Sequence, residues 1–252
     1  EVEAPRGGVL DGEAVCAAID ERVRVVALSL VSPRTGALID HRPIVEAARR
    51  SGAIVFLDAY QAVGVVPVRA ADLGAHVVVG GFHKWIGGAG TGLAFGYVDP
   101  ALAGTLEPVY PGWFAHRDLS KFADSFVAAE SAEKFQQGMP AMEPIYTSRA
   151  GLSWVMRCGI DALRARSLAQ TTRLLTRARD RGLRVVTPAD PARRGGMICI
   201  DLPDAGMVVD RLAAMGIDVD SRPGAGIRVG PHPSITDEEC DTVIDRIAEV
   251  AR

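Results

Sequence analysis

The sequence predicts an α/β protein built on a mostly parallel sheet, followed by a smaller α+β unit. Three observations carry this. Near-continuous apolar runs recur through the first hundred residues: Val23–Leu30, Ala53–Leu57, Val77–Val79 and Leu93–Val98. Strands of that kind are covered on both faces, as in parallel sheets. Helical stretches separate the earlier runs, as crossover connections require. The last 80 or so residues change rhythm to strand, helix, strand, strand, helix, enough for a compact second unit.

In chain order, Asp11 to Asp20 reads as a helix with Asp11 as N-cap. The strand Val23–Leu30 ends in the polar turn Ser32-Pro33-Arg34-Thr35-Gly36. Pro43 opens a helix that runs to Arg50 and stops at Gly52. Ala53–Leu57 delivers Asp58 at its carboxyl end, and Val77–Val79 delivers His83 and Lys84 just beyond its own. Residues 100–150, with five prolines, read as irregular and too long for a passive connection. A long helix from Tyr146 to Arg181 is predicted to break near Gly159. Strands follow at Met197–Leu202, Gly216–Asp220 and Gly226–Val229, with a helix at Met207–Met215. Thr236 with Glu239 forms a capping box for the last helix. The expected division is 1–145 for the sheet-bearing part and 146–252 for the linking helix and small domain.

Composition narrows the function. The 252 residues carry a net charge of −3 and 48% hydrophobic content. That balance gives no electrostatic case for nucleic acid or an anionic membrane. No apolar run of 18 residues appears. The opening residues Glu1-Val2-Glu3-Ala4-Pro5-Arg6 read as neither a signal nor a transit peptide. Cys16, Cys158, Cys199 and Cys240 are scattered without metal-ligand or disulfide spacing, which predicts no metal site and a cytoplasmic protein. No G-x-G-x-x-G follows the first strand, so a nucleotide-binding reading has no support.

Lys84 stands out. Of 28 basic residues only Lys84, Lys121 and Lys134 are lysine. Arginine cannot release its proton in a protein, whereas lysine can become a neutral nucleophile. Lys84 sits in Gly80-Gly81-Phe82-His83-Lys84-Trp85-Ile86-Gly87-Gly88, at the end of a buried strand where desolvation lowers an amine's pKa. In parallel sheets ligands bind beyond the carboxyl ends of strands. Ser32, Asp58 and Lys84 all fall in that zone. A lysine to hold an aldehyde and a carboxylate to keep a ring nitrogen protonated are the requirements of pyridoxal phosphate. Gln61 is placed to donate to the cofactor's phenolic oxygen, and His83 to assist proton transfer or line the site.

Three motifs, Asp58-Ala59-Tyr60-Gln61-Ala62-Val63-Gly64, Phe82-His83-Lys84-Trp85-Ile86-Gly87-Gly88 and Gly226-Ile227-Arg228-Val229-Gly230-Pro231-His232, give the chain a family likeness. It resembles the class V aminotransferases of pyridoxal-phosphate fold type I, which include cysteine desulfurases, selenocysteine lyases and kynureninases. The resemblance implies that Lys84 carries the cofactor as a Schiff base, Asp58 pairs with its ring nitrogen and Gln61 meets its oxygen. It implies that Arg228 binds the substrate α-carboxylate, a role that suits the planar guanidinium fork. Pro111-Gly112-Trp113-Phe114-Ala115-His116 resembles a kynureninase segment and places Trp113 near the substrate entrance. A homodimer acting on an amino acid is implied.

The chain also departs from the pattern. The family's Ser-x-His-Lys reads Gly81-Phe82-His83-Lys84, and its Gly-Thr-Pro reads Gly138-Met139-Pro140. Two phosphate contacts are thereby missing. Relatives carry a further segment before the point where this sequence begins, so an N-terminally incomplete large domain is expected. No cysteine lies between Asp218 and Gly226, where a persulfide-forming desulfurase needs one. The expected activity is therefore lyase or kynureninase-like C–C or C–S cleavage, with a class V aminotransferase as the alternative. A degenerate, non-catalytic subunit is the third reading.

Overall fold

The computed structural model describes residues 2–4, 8–88, 92–122 and 124–251. The opening stretch discussed above, residues 1–6, lies partly outside them. The first sheet has the order β1 (Val25–Ser29), β2 (Ile54–Asp58), β3 (Val77–Gly81), β4 (Ala94–Val98). β1, β2 and β3 are parallel, with Ser29 opposite Asp58 and Asp58 opposite Val79. β4 turns back antiparallel to β3. The sheet is thus mostly parallel, and the carboxyl ends of its first three strands open on one rim.

Local chemistry sets the elements. Asp11 accepts the Glu13 amide at 2.9 Å and starts α1 (Gly12–Ala17). That helix is shorter than the predicted Asp11–Asp20. Asp20 instead accepts the Arg22 amide at 2.9 Å, a local bond that competes with helix. In α2 (Arg42–Arg50), Ile44, Val45 and Ala48 are buried and pack on Val26, Val55, Leu57 and Val78 of the sheet. The stretch from residue 100 is less irregular than expected. Asp99 accepts the amides of Ala101 and Leu102, and Pro100 takes the first turn of α3 (Pro100–Thr105).

The long helix is two, α4 (Met142–Cys158) and α5 (Ile160–Asp180), divided at Gly159, whose φ is +77°. α4 begins four residues ahead of the predicted Tyr146. Pro144 is tolerated there because first-turn N–H groups have no helical acceptor. A second sheet follows, β5 (Ile198–Ile200), β7 (Gly226–Val229), β6 (Asp220–Arg222), in that spatial order and fully antiparallel. The predicted strand Gly216–Asp220 is displaced. The amide of Ile217 closes the end of α6 (Ala205–Ala214) on Leu212 O, so pairing starts only at Asp220. The predicted capping box opens α7 (Asp237–Val250).

Each sheet has its own apolar cluster, around Val55, Leu57 and Val78 in the first and Ile198, Ile200, Ile227 and Ile244 in the second. They meet at a seam. Thr187 Oγ1 donates to Thr35 O, Ala37 pairs with Arg194, and Trp85 packs on Val65 and Met197. The candidate site lies in this seam.

Candidate active site

Lys84 follows β3 by three residues, in a turn closed by the Gly87 amide on Lys84 O at 2.9 Å. Gly64 makes room for it. A Cβ there would stand 2.8 Å from Trp85 Cβ and 2.9 Å from Trp85 C, so the Asp58–Gly64 motif ends in a residue that lets the lysine segment lie against it. Burial is the main force pushing the Lys84 ammonium below the ordinary lysine range. The charge of Arg228 acts in the same direction, while Asp58 and Asp220 oppose it.

A cleft of about 570 Å³ opens beside the lysine. Its walls include Lys84, Gln61 and Trp85 from the first unit, and Asp220, Arg222 and Arg228 from the second. Gln61 is buried. Asp58 is not part of this lining. Its Oδ1 accepts the Tyr60 amide at 2.7 Å, and its charge is felt at Lys84. His83 is exposed, with Nδ1 3.4 Å from the Tyr60 hydroxyl. The Tyr60 ring covers Lys84, with Nζ 5.1 Å from the ring centroid.

Arg228 arrives from the middle of β7, opposite Asp220 on β6. Its Nε donates to Asp220 Oδ1 at 2.6 Å, a second nitrogen donates to Oδ2, and the third donates to Pro33 O at 2.5 Å. The guanidinium thus already makes a bidentate pair with a carboxylate belonging to the protein. Those hydrogen bonds hold the Asp220 carboxyl below the usual aspartate range, helped by the charges of Arg228, Arg222 and Lys84.

Two sequence candidates sit elsewhere. The Ser32 hydroxyl accepts the amides of Arg34 and Thr35 at 3.3 and 3.2 Å, so it organises its own turn and does not line the cleft. Trp113 packs on Phe114 and Phe122 and lines a different cavity with His116, Asp118 and Phe122. Other cleft residues were not singled out from the sequence. Asp220 and Arg222 escaped because β6 was placed too early. His232 lay inside a recognised motif without a role. It bonds Trp85 O at 3.3 Å and stacks on Trp154.

The cysteines give no nucleophile in the cleft. Burial pushes the Cys199 thiol up to about 11, and its Sγ donates to Ala225 O at 2.9 Å. Cys240 is likewise buried with its thiol raised.

A profile of the family "Aminotransferase class-V" matches residues 1–242. The chain belongs to the class V aminotransferase family. It is 32% identical over 239 residues to a kynureninase of Stenotrophomonas maltophilia, a match covering 90% of this chain and 56% of that protein. It is 30% identical over 241 residues to an uncharacterised aminotransferase, YcbU, of Bacillus subtilis, covering 96% and 63%. Among solved structures, a cysteine desulfurase from Thermococcus onnurineus aligns with a TM-score of 0.85 at 22% identity over 99% of this chain and 65% of its own. The chain thus spans somewhat more than half the length of its curated relatives. Its fold is that of the fold type I pyridoxal-phosphate enzymes, of whose large domain it covers part.

Proposed function

We propose that this chain forms the lysine-bearing part of a pyridoxal-phosphate enzyme that cleaves a C–C or C–S bond in an α-amino acid. The observation that carries the reading is the pairing of a desolvated amine, Lys84, with a guanidinium fork, Arg228, across one cleft. The family works with pyridoxal phosphate. The donor set here fits that cofactor: an amine of lowered pKa, a carboxylate whose charge reaches it and a buried amide in the same cleft. Lys84 would hold the aldehyde carbon, Asp58 the ring nitrogen and Gln61 the phenolic oxygen. The bound cofactor supplies an electron sink for the α-carbon.

The chain's own residues supply the remainder. Arg228 orients the amino acid by its carboxylate, which presents the α-hydrogen to one partner. Lys84, kept poorly hydrated by Tyr60 and Trp85, takes and returns that proton. His83, exposed and next to Lys84 in sequence, contacts the Tyr60 hydroxyl outside the Arg228 cleft, so its role is to line the site beside the lysine. No cysteine lines the cleft, which supports cleavage without a protein persulfide. The relationship to an aminotransferase keeps transamination as the second reading. A screen of amino acids with the full natural protein separates the two. Release of alanine, pyruvate or sulfide supports cleavage; a 2-oxo acid formed only with an amino acceptor supports transamination. Neither product from any amino acid would overturn the reading.

Exposed apolar side chains at Val109, Tyr110, Phe122, Tyr146 and Met156 support a homodimer. A sedimentation mass of one chain would contradict it. The domain division at 145/146 places α5 and α7 in one unit, in keeping with the second apolar cluster. No helix among the described residues is long and apolar enough to cross a membrane. The four free cysteines fit a reducing, cytoplasmic setting.

A further inference from the structure

The geometry points to Tyr60 as the residue that donates to the cofactor's phosphate, through a hydroxyl standing where the side chain of residue 81 would otherwise be. This rests on the assignment of pyridoxal phosphate to Lys84 and adds a contact to it.

The space at Gly81 is already taken. A Cβ built on Gly81 would fall 2.1 Å from Tyr60 Cζ and 2.2 Å from its hydroxyl oxygen, far inside any real contact. Gly81 ends β3 and is buried. No serine or threonine hydroxyl can therefore coexist there with this Tyr60 ring. The phenol brings a hydroxyl to that same spot. Its backbone is fixed by the 2.7 Å bond from the Tyr60 amide to Asp58 Oδ1, and its hydroxyl lies 3.4 Å from His83 Nδ1. The outcome is a donor pair, phenol and imidazole, beside the lysine.

The layout of the cofactor says which substituent meets that pair. On the pyridine ring the aldehyde lies opposite the ring nitrogen, with the phenolic oxygen on one flank and the phosphate arm on the other. Lys84 and Asp58 fix the long axis. Gln61 lines the Arg228 cleft and takes the phenolic flank; Tyr60 and His83 do not line that cleft. The phosphate arm is left for the flank that Tyr60 and His83 hold. A phosphate offers three strong acceptor oxygens, and phenol and imidazole N–H groups are donors to it.

The test measures cofactor affinity in the full natural protein. Two probes are titrated, pyridoxal phosphate and pyridoxal, which lacks the phosphate. Tyr60→Phe removes one oxygen and keeps the ring. It should weaken pyridoxal phosphate binding by about tenfold to a hundredfold, the value of a hydrogen bond to a charged group, and leave pyridoxal binding unchanged. Equal loss for both probes, or none for either, overturns the proposal. A second pair of variants addresses the shared space. Gly81→Ser alone should weaken pyridoxal phosphate binding, because Cβ meets the ring. Gly81→Ser combined with Tyr60→Ala should bind better than Tyr60→Ala alone, since a serine hydroxyl then enters the vacated place. Additive losses would also overturn it. Should the unmodified protein bind neither probe, the assignment of the cofactor itself fails, which separates the two claims.

Discussion

The two units present their functional groups in different ways. The first delivers Asp58 and Lys84 from the ends of adjacent parallel strands, where a backbone amide and close glycine contacts fix them; among the described residues no acid is hydrogen-bonded to Lys84. The second delivers Arg228 from mid-strand, already clasped by Asp220. The second unit is also laced outside by ion pairs to α7 from α5 and its C-cap: Arg166 with Asp237, Arg173 with Asp241, Arg177 and the capping Arg181 with Asp245. The contrast separates reactivity from recognition. On the proposed roles, the amine at Lys84 is kept reactive by withholding a close partner from it, and the fork at Arg228 is kept aligned by lending it one.

The largest test of this contrast removes the amine. Lys84→Ala should lower turnover by about 10³-fold or more, since both cofactor attachment and proton transfer go with it. A comparable rate in the variant would place the chemistry elsewhere. Next, Arg228→Lys keeps the charge but loses the planar fork. The KM for an amino acid should rise about tenfold to a hundredfold, with a smaller change for the corresponding amine lacking a carboxylate. Equal changes for both ligands would deny Arg228 its role.

Asp220→Asn probes the clasp. It frees the guanidinium, so KM should fall about severalfold. It also removes a charge that raises the Lys84 pKa, so the basic limb of Lys84 function should extend to lower pH. A shift to higher pH would contradict the sign. The smallest effect lies outside the site. Arg177, first through its hydrogen bonds, holds the Asp245 carboxyl below the usual range. That contribution is present above the ordinary aspartate pKa and disappears as pH falls through the lowered one. Asp245→Asn should therefore cost no more than about 4 °C in Tm near neutrality and flatten the loss of stability below about pH 4. Cofactor binding should not change.

The strand cores and the residues at their carboxyl ends were legible in the sequence because they depend on local pattern. Uniform apolar runs marked β1, β2 and β3, and the residues just past their ends were Asp58 and Lys84. The break at Gly159 and the capping box at Thr236 were likewise local signals. What escaped was set by pairing across the chain. Asp220 meets Arg228 only through the β6–β7 register, and no local pattern reveals that the closing turn of α6 delays β6 to residue 220. Ser32 shows the opposite failure. Its strand-end position suggested a ligand, but its hydroxyl is consumed by its own turn. Trp113 matched a motif, yet its ring packs within a local aromatic cluster.

The central claim is that Lys84, and no other amine, takes the cofactor. The chain has only two other lysines, Lys121 and Lys134, so borohydride reduction of the protein loaded with pyridoxal phosphate, followed by peptide mass mapping, can decide among them. The label should appear on the peptide containing Lys84 alone. A label on Lys121 or Lys134, or none on a protein that has bound the cofactor, would contradict the account.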